Sequence, residues 1–216
     1  MRPCYRARVP TLYTTPLSAN GRKALAVARH LGVDARVELV DVYRGEGRTP
    51  AFLALNPQGK IPTLVDGDFV LWESNAIIQY LAEAHGDFAL WSREPRRRAD
   101  VARWLFWESA HWQPAMIAVL AAFVGHHVLP EGVRPPATTV RWDGATSSLS
   151  FLEAHLASRR VLVGDELTLA DFAVAGMMTY ARAAAFPFDA FPHIAAWYGR
   201  IEALDAWKGT AAGPWA

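Results

Sequence analysis

Residues 56–65 read NPQGKIPTLV, and residues 73–78 follow closely as ESNAII. In the first segment a proline stands where a loop becomes a strand, and it has no N–H group to extend a strand ladder. If the Ile61–Pro62 bond is cis, Ile61 presents its own N–H and C=O groups to an extended peptide, as in strand addition on a small scale. An ordinary trans turn is the alternative, since most X–Pro bonds are trans.

The second segment opens a predicted helix with Glu73 and Ser74. The N–H groups and the positive dipole end of a helix N-terminus attract a carboxylate. The Ser74 hydroxyl adds a hydrogen bond, and Glu73 can hold an ammonium group. One amino-acid head group would satisfy both residues. The alternative is a serine that only caps the helix beside an acidic residue.

The hydrophobic pattern around these segments predicts the order β-α-β-α-β-β-α over residues 11–85. A helical crossover makes the first two strands parallel, and the hairpin signal at Asp66-Gly67 makes the last two antiparallel. We therefore expect a mixed four-stranded sheet with flanking helices. The predicted strands cover residues 10–15, 35–42, 61–65 and 69–72, and the predicted helices residues 20–31, 49–55 and 73–84.

The second half of the chain predicts helices and no convincing strand, which gives an α+β protein of two domains. Residues 86–96 are typical of an interdomain linker, residues 97–216 form the all-helical domain, and residues 1–10 are an extension. A long helical pattern over residues 99–127 contains Pro114, which should kink or split it. A second helix is predicted over 138–157, and Thr168 with Asp171 gives the pattern of a capping box.

Composition restricts the possible functions. The 216 residues are 52% hydrophobic and 20% charged, typical of a soluble protein with a large core. A net charge of +1 argues against nucleic-acid binding through a basic field. No long apolar run predicts a membrane span, and the basic opening MRPCYRARVP lacks the apolar region of a secretory signal. The single cysteine, Cys4, excludes an internal disulfide and favours the cytoplasm.

Ser18 and Asn20 lie between the first strand and the first helix, in the segment LYTTPLSANGRK. Thiolates are stabilised near helix N-termini. A hydroxyl or amide donor at this position would lower the pKa of a bound thiol below its ordinary value of about 8.5. The alternative is that either residue merely caps the helix. Tyr13 is a rival hydroxyl, but strand alternation predicts that it faces the core.

Four segments together resemble the cytosolic glutathione transferases: LYTTPLSANGRK, NPQGKIPTLV, ESNAIIQYLAE and VGDELTLADFAVA. The resemblance runs from about Thr11 to Trp207. It implies a thioredoxin-like N-terminal domain followed by an all-α helical bundle, and a cytoplasmic homodimer. It also implies glutathione as co-substrate and a small hydrophobic electrophile or a disulfide as the second substrate. No nucleic-acid, membrane or metal partner is expected; the adjacent His126 and His127 would point apart on a helix.

Carried over residue by residue, the resemblance makes Ile61, before a cis Pro62, the backbone partner of the cysteinyl part of glutathione. Glu73 and Ser74 would hold the γ-glutamyl head. Two further residues would lie along the tripeptide, Gln58 and Lys60.

The same resemblance gives Ser18 and Asn20 the catalytic role. Ser18 falls where theta-like and delta-like classes place the activating hydroxyl. Residues 18–23 also resemble a bacterial nu-like group, several members of which reduce disulfides. The chain lacks the tyrosine of the alpha, mu and pi classes, the cysteine of the beta and omega classes, and the zeta-type motif SSCSWR.

The electrophile pocket is expected between the N-terminal loop and the first long helix of the second domain. Trp107 and His111 on that helix are the candidates, although an aromatic stripe at helical spacing is more often core. The predicted function is a glutathione transferase that activates the thiol. The alternatives are a glutathione-dependent disulfide oxidoreductase and a non-catalytic interaction module; the physiological electrophile is open.

Overall fold

The computed structural model describes residues 9–86, 88–129 and 131–210. Most of the predicted extension at 1–10 lies outside these residues. So do residue 87 of the predicted linker, residue 130 and the last six residues of the predicted helical domain.

The sheet of the N-terminal half has the predicted topology. Its strands are β1 (Thr11–Thr14), β2 (Arg36–Leu39), β3 (Thr63–Asp66) and β4 (Phe69–Trp72). The order is β2-β1-β3-β4, with β1 parallel to β2 and antiparallel to β3, and β3 antiparallel to β4. This arrangement confirms the expected mixed sheet.

The helices α1 (Ala19–His30), α2 (Pro50–Leu55) and α3 (Ser74–His85) connect and cover these strands. Leu12 of β1 pairs with Leu64 of β3, and both side chains are buried. Helices α1 and α3 pack on each other through apolar residues at helical spacing, such as Val27 and Ile77. The order β-α-β-α-β-β-α is therefore confirmed.

The described residues of the second half form helices joined by loops, and none of them lies in a β-strand. Its α-helices are α4 (Pro95–Trp107), α5 (Gln113–Val128), α6 (Thr146–Leu156), α7 (Leu169–Gly176), α8 (Pro192–Glu202) and α9 (Asp205–Lys208). Short 3-10 segments cover Val42–Arg44, Glu46–Arg48, Glu131–Val133, Trp142–Ala145, Met177–Tyr180 and Phe188–Ala190. In the described part of the chain, no helix has the length and apolar character needed to cross a bilayer.

The long helix predicted over residues 99–127 is split near Pro114, as the sequence indicated, and one other helix boundary differs from the prediction. A π-helical turn, Glu108–Trp112, separates α4 from α5 just before Pro114. Proline lacks the N–H that would continue the α-helical ladder, which is the expected cause of such a break. Helix α6 begins at Thr146 rather than near residue 138, because the β-branched run Thr138, Thr139, Val140 follows two prolines and lowers helix propensity.

The segment predicted as a linker is not exposed along its whole length. Leu90 and Trp91 are buried, and the Leu90 carbonyl accepts a hydrogen bond from the Leu169 N–H at 3.1 Å. This segment therefore packs against the start of α7.

The predicted capping box begins α7. The Asp171 carboxylate accepts hydrogen bonds from the Thr168 N–H and the Leu162 N–H, each at 2.9 Å, and from Trp197 Nε1–H at 2.9 Å. Burial raises the pKa of Asp171, and these donors oppose that rise. The box joins α7 to α8 and to the loop before it, so it is a folding device.

Candidate functional site

The segment NPQGKIP forms a loop that Asn56 organises from within. Asn56 Oδ1 accepts a hydrogen bond from the Gln58 N–H at 3.0 Å, and its Nδ2 donates to the Lys60 carbonyl at 2.8 Å. The loop ends at the Ile61–Pro62 bond, which is cis as predicted. Sequence reasoning missed Asn56, although an asparagine beside a proline is a frequent turn signal.

Position 59 requires a glycine because Gly47, in the turn before α2, packs directly against it. Its φ is +65°, and a Cβ placed on it would lie 2.5 Å from the Gly47 carbonyl oxygen. A side chain at either position would push the two segments apart.

Helix α3 begins beside this loop. Glu73 is its N-cap with φ 70°, and Ser74 is its first residue, so Ser74 is not the cap that the alternative interpretation expected. The buried Ser74 hydroxyl donates to Asn20 Oδ1 at 3.2 Å. Glu73 is exposed at the mouth of the site.

These elements enclose a first cavity of about 110 Å³, the peptide cavity. It contains all six residues predicted to bind glutathione, and one of the two predicted catalytic residues. Its lining residues are Asn20, Asn56, Gln58, Lys60, Ile61, Pro62, Trp72, Glu73, Ser74 and Gln113.

Ser18 caps α1 and also faces a cavity. Its Oγ accepts a hydrogen bond from the Gly21 N–H at 2.9 Å. Capping uses only a lone pair of the Ser18 oxygen. The proton of this hydroxyl has no acceptor among the described residues. The capping interpretation and the catalytic interpretation are therefore compatible, since the same hydroxyl can accept from Gly21 and donate to a ligand.

Asn20 lies where the peptide cavity meets a second one. Its Nδ2 donates to Gln113 Oε1 at 3.4 Å, while its Oδ1 accepts from Ser74. The amide is thus held between the first turns of α1, α3 and α5. Gln113 was not predicted, because its position depends on the π-helical turn before it.

The second cavity, the apolar cavity, has a volume of about 380 Å³. Apolar side chains of α5 form one wall, and none of the described lining residues carries a charge. Its lining residues are Leu17, Ser18, Ala19, Asn20, Tyr43, Met116, Ile117, Leu120, Ala121, Val124, Gly125, Leu129, Met177 and Tyr180.

Trp107 and His111 do not line the apolar cavity, so this cavity gives no support to their predicted role in an electrophile pocket. Trp107 packs on Trp112 and on Phe151 of α6, with ring centroids 5.7 and 5.2 Å away, and His111 is exposed on the π-helical turn. The helix that faces Ser18 is α5, after the turn. The apolar spacing of Met116, Leu120 and Val124 was the available signal. Tyr13 lines neither cavity and packs on Phe52.

A buried ion pair lies behind the site. Lys23 Nζ donates to Asn75 Oδ1 at 2.8 Å and to Glu108 Oε2 at 3.3 Å, and both charged side chains are fully buried. Burial lowers the pKa of Lys23, and Glu108 opposes this shift. The cluster ties α1 and α3, which carry Asn20 and Ser74, to the π-helical turn. Among the residues described, no group of three or more His, Cys, Asp or Glu side chains could hold a metal ion.

Comparisons with known proteins match both halves of the chain to one family. Residues 12–92 match the family described as "Glutathione S-transferase, N-terminal domain", and residues 116–205 match "Glutathione S-transferase, C-terminal domain". Glutathione S-transferase 3 of Zea mays is 37% identical over 209 residues, which are 93% of this chain and 92% of that protein.

Two solved structures are similar over nearly the whole chain. Glutathione transferase F7 of Populus trichocarpa is 31% identical with a TM-score of 0.83, over 94% of this chain and 98% of that one. A glutathione S-transferase-I solved with the ligand lactoylglutathione is 25% identical with a TM-score of 0.77, over 94% of this chain and 99% of that one. The relatives from Zea mays and Populus trichocarpa are plant proteins, so they do not confirm the bacterial theta-like or nu-like subdivision.

The fold and the sequence matches lead to one conclusion: the chain belongs to the glutathione S-transferase family, as an enzyme that uses glutathione as its co-substrate.

Proposed function

We propose that glutathione binds in the peptide cavity and that its thiol is activated at the junction with the apolar cavity. The observation that carries this proposal is that Asn20 lines both cavities and Ser18 lines the apolar one. A tripeptide in the first cavity can therefore present its sulfur to the second. The Ile61 backbone, before the cis bond, would pair with the cysteinyl part.

The opposite end of the peptide cavity suits the γ-glutamyl head. The first N–H groups of α3 have no partner within the helix and attract its carboxylate. The exposed carboxylate of Glu73 would hold its ammonium group. Gln58 and Lys60 would lie along the rest of the tripeptide, both being exposed side chains on the rim of the cavity.

Ser18 would act on the sulfur directly. Its oxygen accepts from the Gly21 N–H, and its proton remains available to donate to a ligand and would stabilise a thiolate. Asn20 supplies a second amide donor and is held in place by Ser74 and Gln113. The thiolate would then attack a small hydrophobic electrophile in the apolar cavity.

The division into residues 11–85 and 97–216, the cytoplasmic location and the homodimer belong to the same proposal. Large exposed apolar side chains support a partner surface, since Phe69, Trp72 and Phe106 are 42%, 39% and 74% exposed. The Ser18 and Asn20 pair favours a serine-type enzyme of the theta-like or nu-like kind.

Reduction of a disulfide is the second candidate. Asn20 places an amide donor beside the reacting position, as the resemblance to the nu-like group implies. Parallel assays with a mixed disulfide and an aryl halide separate the two reactions. The non-catalytic alternative has less support, because the peptide cavity keeps every predicted contact residue.

The test of the proposal is Ser18→Ala, with Ser18→Thr as the matched control. We expect Ser18→Ala to retain glutathione binding by calorimetry and to lose about 10²- to 10³-fold in kcat, the usual cost of removing a hydrogen-bond donor to a developing anion. Ser18→Thr keeps both the hydroxyl and the cap, so it should recover most of the turnover. Unchanged turnover in Ser18→Ala would transfer the role to Asn20 or the helix end.

A further inference from the structure

An apolar groove of about 120 Å³ runs along the open edge of the sheet, between β2 and α1. We call it the edge groove, and its lining includes Thr14, Leu25, Val37, Leu39, Gly209 and Thr210. Among the described residues, it shares none with the peptide cavity or the apolar cavity. The proposed function therefore leaves this surface unexplained.

Two apolar side chains of β2 are exposed in the edge groove, although they lie on the buried face of the sheet. Val37 pairs with Leu12 and Leu39 pairs with Thr14, and these two β1 side chains are only 1% and 4% exposed. Paired residues share a face of the sheet. Val37 and Leu39 are nevertheless 38% and 65% exposed, because β2 is an edge strand and no described element covers them. An edge strand with open apolar side chains needs a cover.

The described part of the chain reaches its last residue inside this groove. Thr210 Oγ1 accepts a hydrogen bond from Arg22 Nε at 3.2 Å, and the Gly209 carbonyl accepts one from Arg29 Nη1. The Arg22 guanidinium also lies over Trp207, 4.4 Å from the ring centroid. Two arginines of α1 thus hold residues 209 and 210 beside β2, so residue 211 must start at the groove.

The next six residues of the sequence read AAGPWA, and Trp215 is their one large side chain. An extended chain advances at most about 3.6 Å per residue, so Trp215 can lie up to about 18 Å from Thr210. Because Thr210 and Leu39 line the same groove, the indole can reach the open side chains of β2. The segment carries no charge, which suits an apolar surface.

We propose that residues 211–216 cover the edge groove and that Trp215 packs on Val37 and Leu39. The cover would shield the open edge of the sheet. It would also support the segment that carries Ser18, because the Ser18 N–H donates to the Thr15 carbonyl at 3.0 Å and the Gly21 N–H donates to Ser18 Oγ. Thr15 and Gly21 both line the groove.

Two other occupants fit the groove less well. Residues 1–8 lead into the start of β1, whereas Thr14 and Leu39 are the last residues of the parallel strands β1 and β2. A second copy of the chain would have to compete with a segment that is tethered at the groove, at an effective concentration on the order of millimolar.

The test is disulfide trapping in a Cys4→Ser background, because Cys4 is the one cysteine of the sequence. We expect Leu39→Cys with Trp215→Cys to form a link within one chain under copper–phenanthroline oxidation, identified as joined peptides by mass spectrometry. The matched control is Phe151→Cys with Trp215→Cys, since Phe151 is also exposed, at 51%, but lies on α6. A disulfide requires Cα atoms within about 7 Å, so the control pair should not link.

No link between positions 39 and 215, or equal links in both pairs, would overturn the inference. A Leu39→Cys variant that joins a second chain instead would assign the groove to another copy, and this result would overturn it too. The trapping needs neither glutathione nor turnover, so its outcome is separate from that of the proposed function.

A second arm measures whether Trp215 and Leu39 depend on each other. We expect Trp215→Ala and Leu39→Ala each to lower Tm by about 2–6 °C, and the double variant to lose about as much as the larger single loss. An exposed leucine without a cover would cost almost nothing. Additive losses, or an unchanged Tm in Leu39→Ala, would show that the two side chains do not touch and would overturn the inference.

Discussion

Asn20 lines both cavities, and hydrogen bonds to Ser74 and Gln113 orient its side-chain amide. Ser74 donates to its oxygen, and its nitrogen donates to Gln113. The oxygen therefore points toward α3, and the nitrogen keeps its second hydrogen for a ligand. The identity of this one atom of Asn20, nitrogen or oxygen, therefore decides whether the side chain stabilises or destabilises a thiolate.

Asn20→Asp changes that atom without changing the size of the side chain. The second oxygen would place negative charge beside the sulfur and remove the bond to Gln113. We expect the pKa of the bound glutathione thiol to rise and kcat at neutral pH to fall about 10-fold or more, since a like charge disfavours the ionised form. Turnover should recover as pH increases.

The measurement is the pH profile of kcat with saturating glutathione. Ser74→Ala is the control, because it frees the Asn20 oxygen but keeps the nitrogen donor. A profile of Asn20→Asp that overlies that of the unsubstituted protein would show that the amide does not act on the thiol.

The loop at 56–62 shows how a neighbouring element shapes the site. Gly47 and Gly59 approach each other so closely that a Cβ on Gly59 would clash with the Gly47 carbonyl at 2.5 Å. The loop that carries Gln58, Lys60 and Ile61 is therefore positioned by the turn before α2. Both segments, GEG and NPQGK, are visible in the sequence, but their contact is not.

Gly59→Ala tests this contact, with Gly32→Ala as the matched control. Both glycines have positive φ, +65° and +68°, but nothing lies within 4 Å of a Cβ on Gly32. Each variant should lose about 1–2 kcal/mol of stability from the backbone strain alone. Only Gly59→Ala should also raise KM for glutathione, because only there must the loop move. Equal KM values in the two variants would contradict this account.

The elements themselves were largely predictable from the sequence. The parallel pairing of β1 with β2 and the antiparallel pairing of β3 with β4 follow from a helical crossover and an Asp66-Gly67 hairpin, and both are local signals. The pairing of β1 with β3 has no such signal. The segment NPQGKIPTLV and the start of α3 were predicted as one binding region, and five residues of the segment line one cavity together with Glu73 and Ser74. Local motifs suffice here because the residues follow one another in the chain.

The wall of the apolar cavity was not predictable in the same way. Periodicity predicts a continuous helix through residue 107, but the π-helical turn changes which face of the following helix meets Ser18. Trp107 therefore packs on α6, whereas Met116 and Gln113 reach the cavities. Tyr43 was missed because a tyrosine in a short turn carries no pattern of its own.

In the whole molecule, the buried cluster of Lys23, Asn75 and Glu108 connects the two halves of the chain. The side chains of Lys23 and Glu108 are fully buried, and the cluster links α1 and α3 to the π-helical turn. Breaking a buried pair leaves an uncompensated charge, which is more costly than losing an exposed pair. The cluster thus fixes the helix starts around which the site is built.

Glu108→Gln should lower the free energy of unfolding by about 3–5 kcal/mol. Glu202→Gln, which breaks the exposed pair with Arg182, is the control and should cost about 1 kcal/mol or less. The measurement is denaturant unfolding of both variants. Similar losses in the two variants would show that the buried cluster does not stabilise the assembled halves.

The loss of stability in Glu108→Gln should depend on pH in one direction. Burial lowers the pKa of Lys23 in the folded state, so the unfolded chain binds the proton more readily. The contribution of the lysine to stability therefore falls as pH drops below its ordinary value of about 10.5. Without Glu108 the pKa of Lys23 in the folded state falls further. The stability that Glu108→Gln loses relative to the unsubstituted protein should therefore shrink as pH rises toward the ordinary lysine pKa.

We propose above all that the site at Ser18 ionises the thiol of bound glutathione. The most direct measurement is the ultraviolet thiolate difference spectrum of the protein with reduced glutathione, recorded across pH. We predict a thiolate signal well below the free thiol pKa of about 8.5, and a shift of that signal to higher pH in Ser18→Ala. Glutathione that binds by calorimetry but shows no thiolate below that pKa would contradict the account.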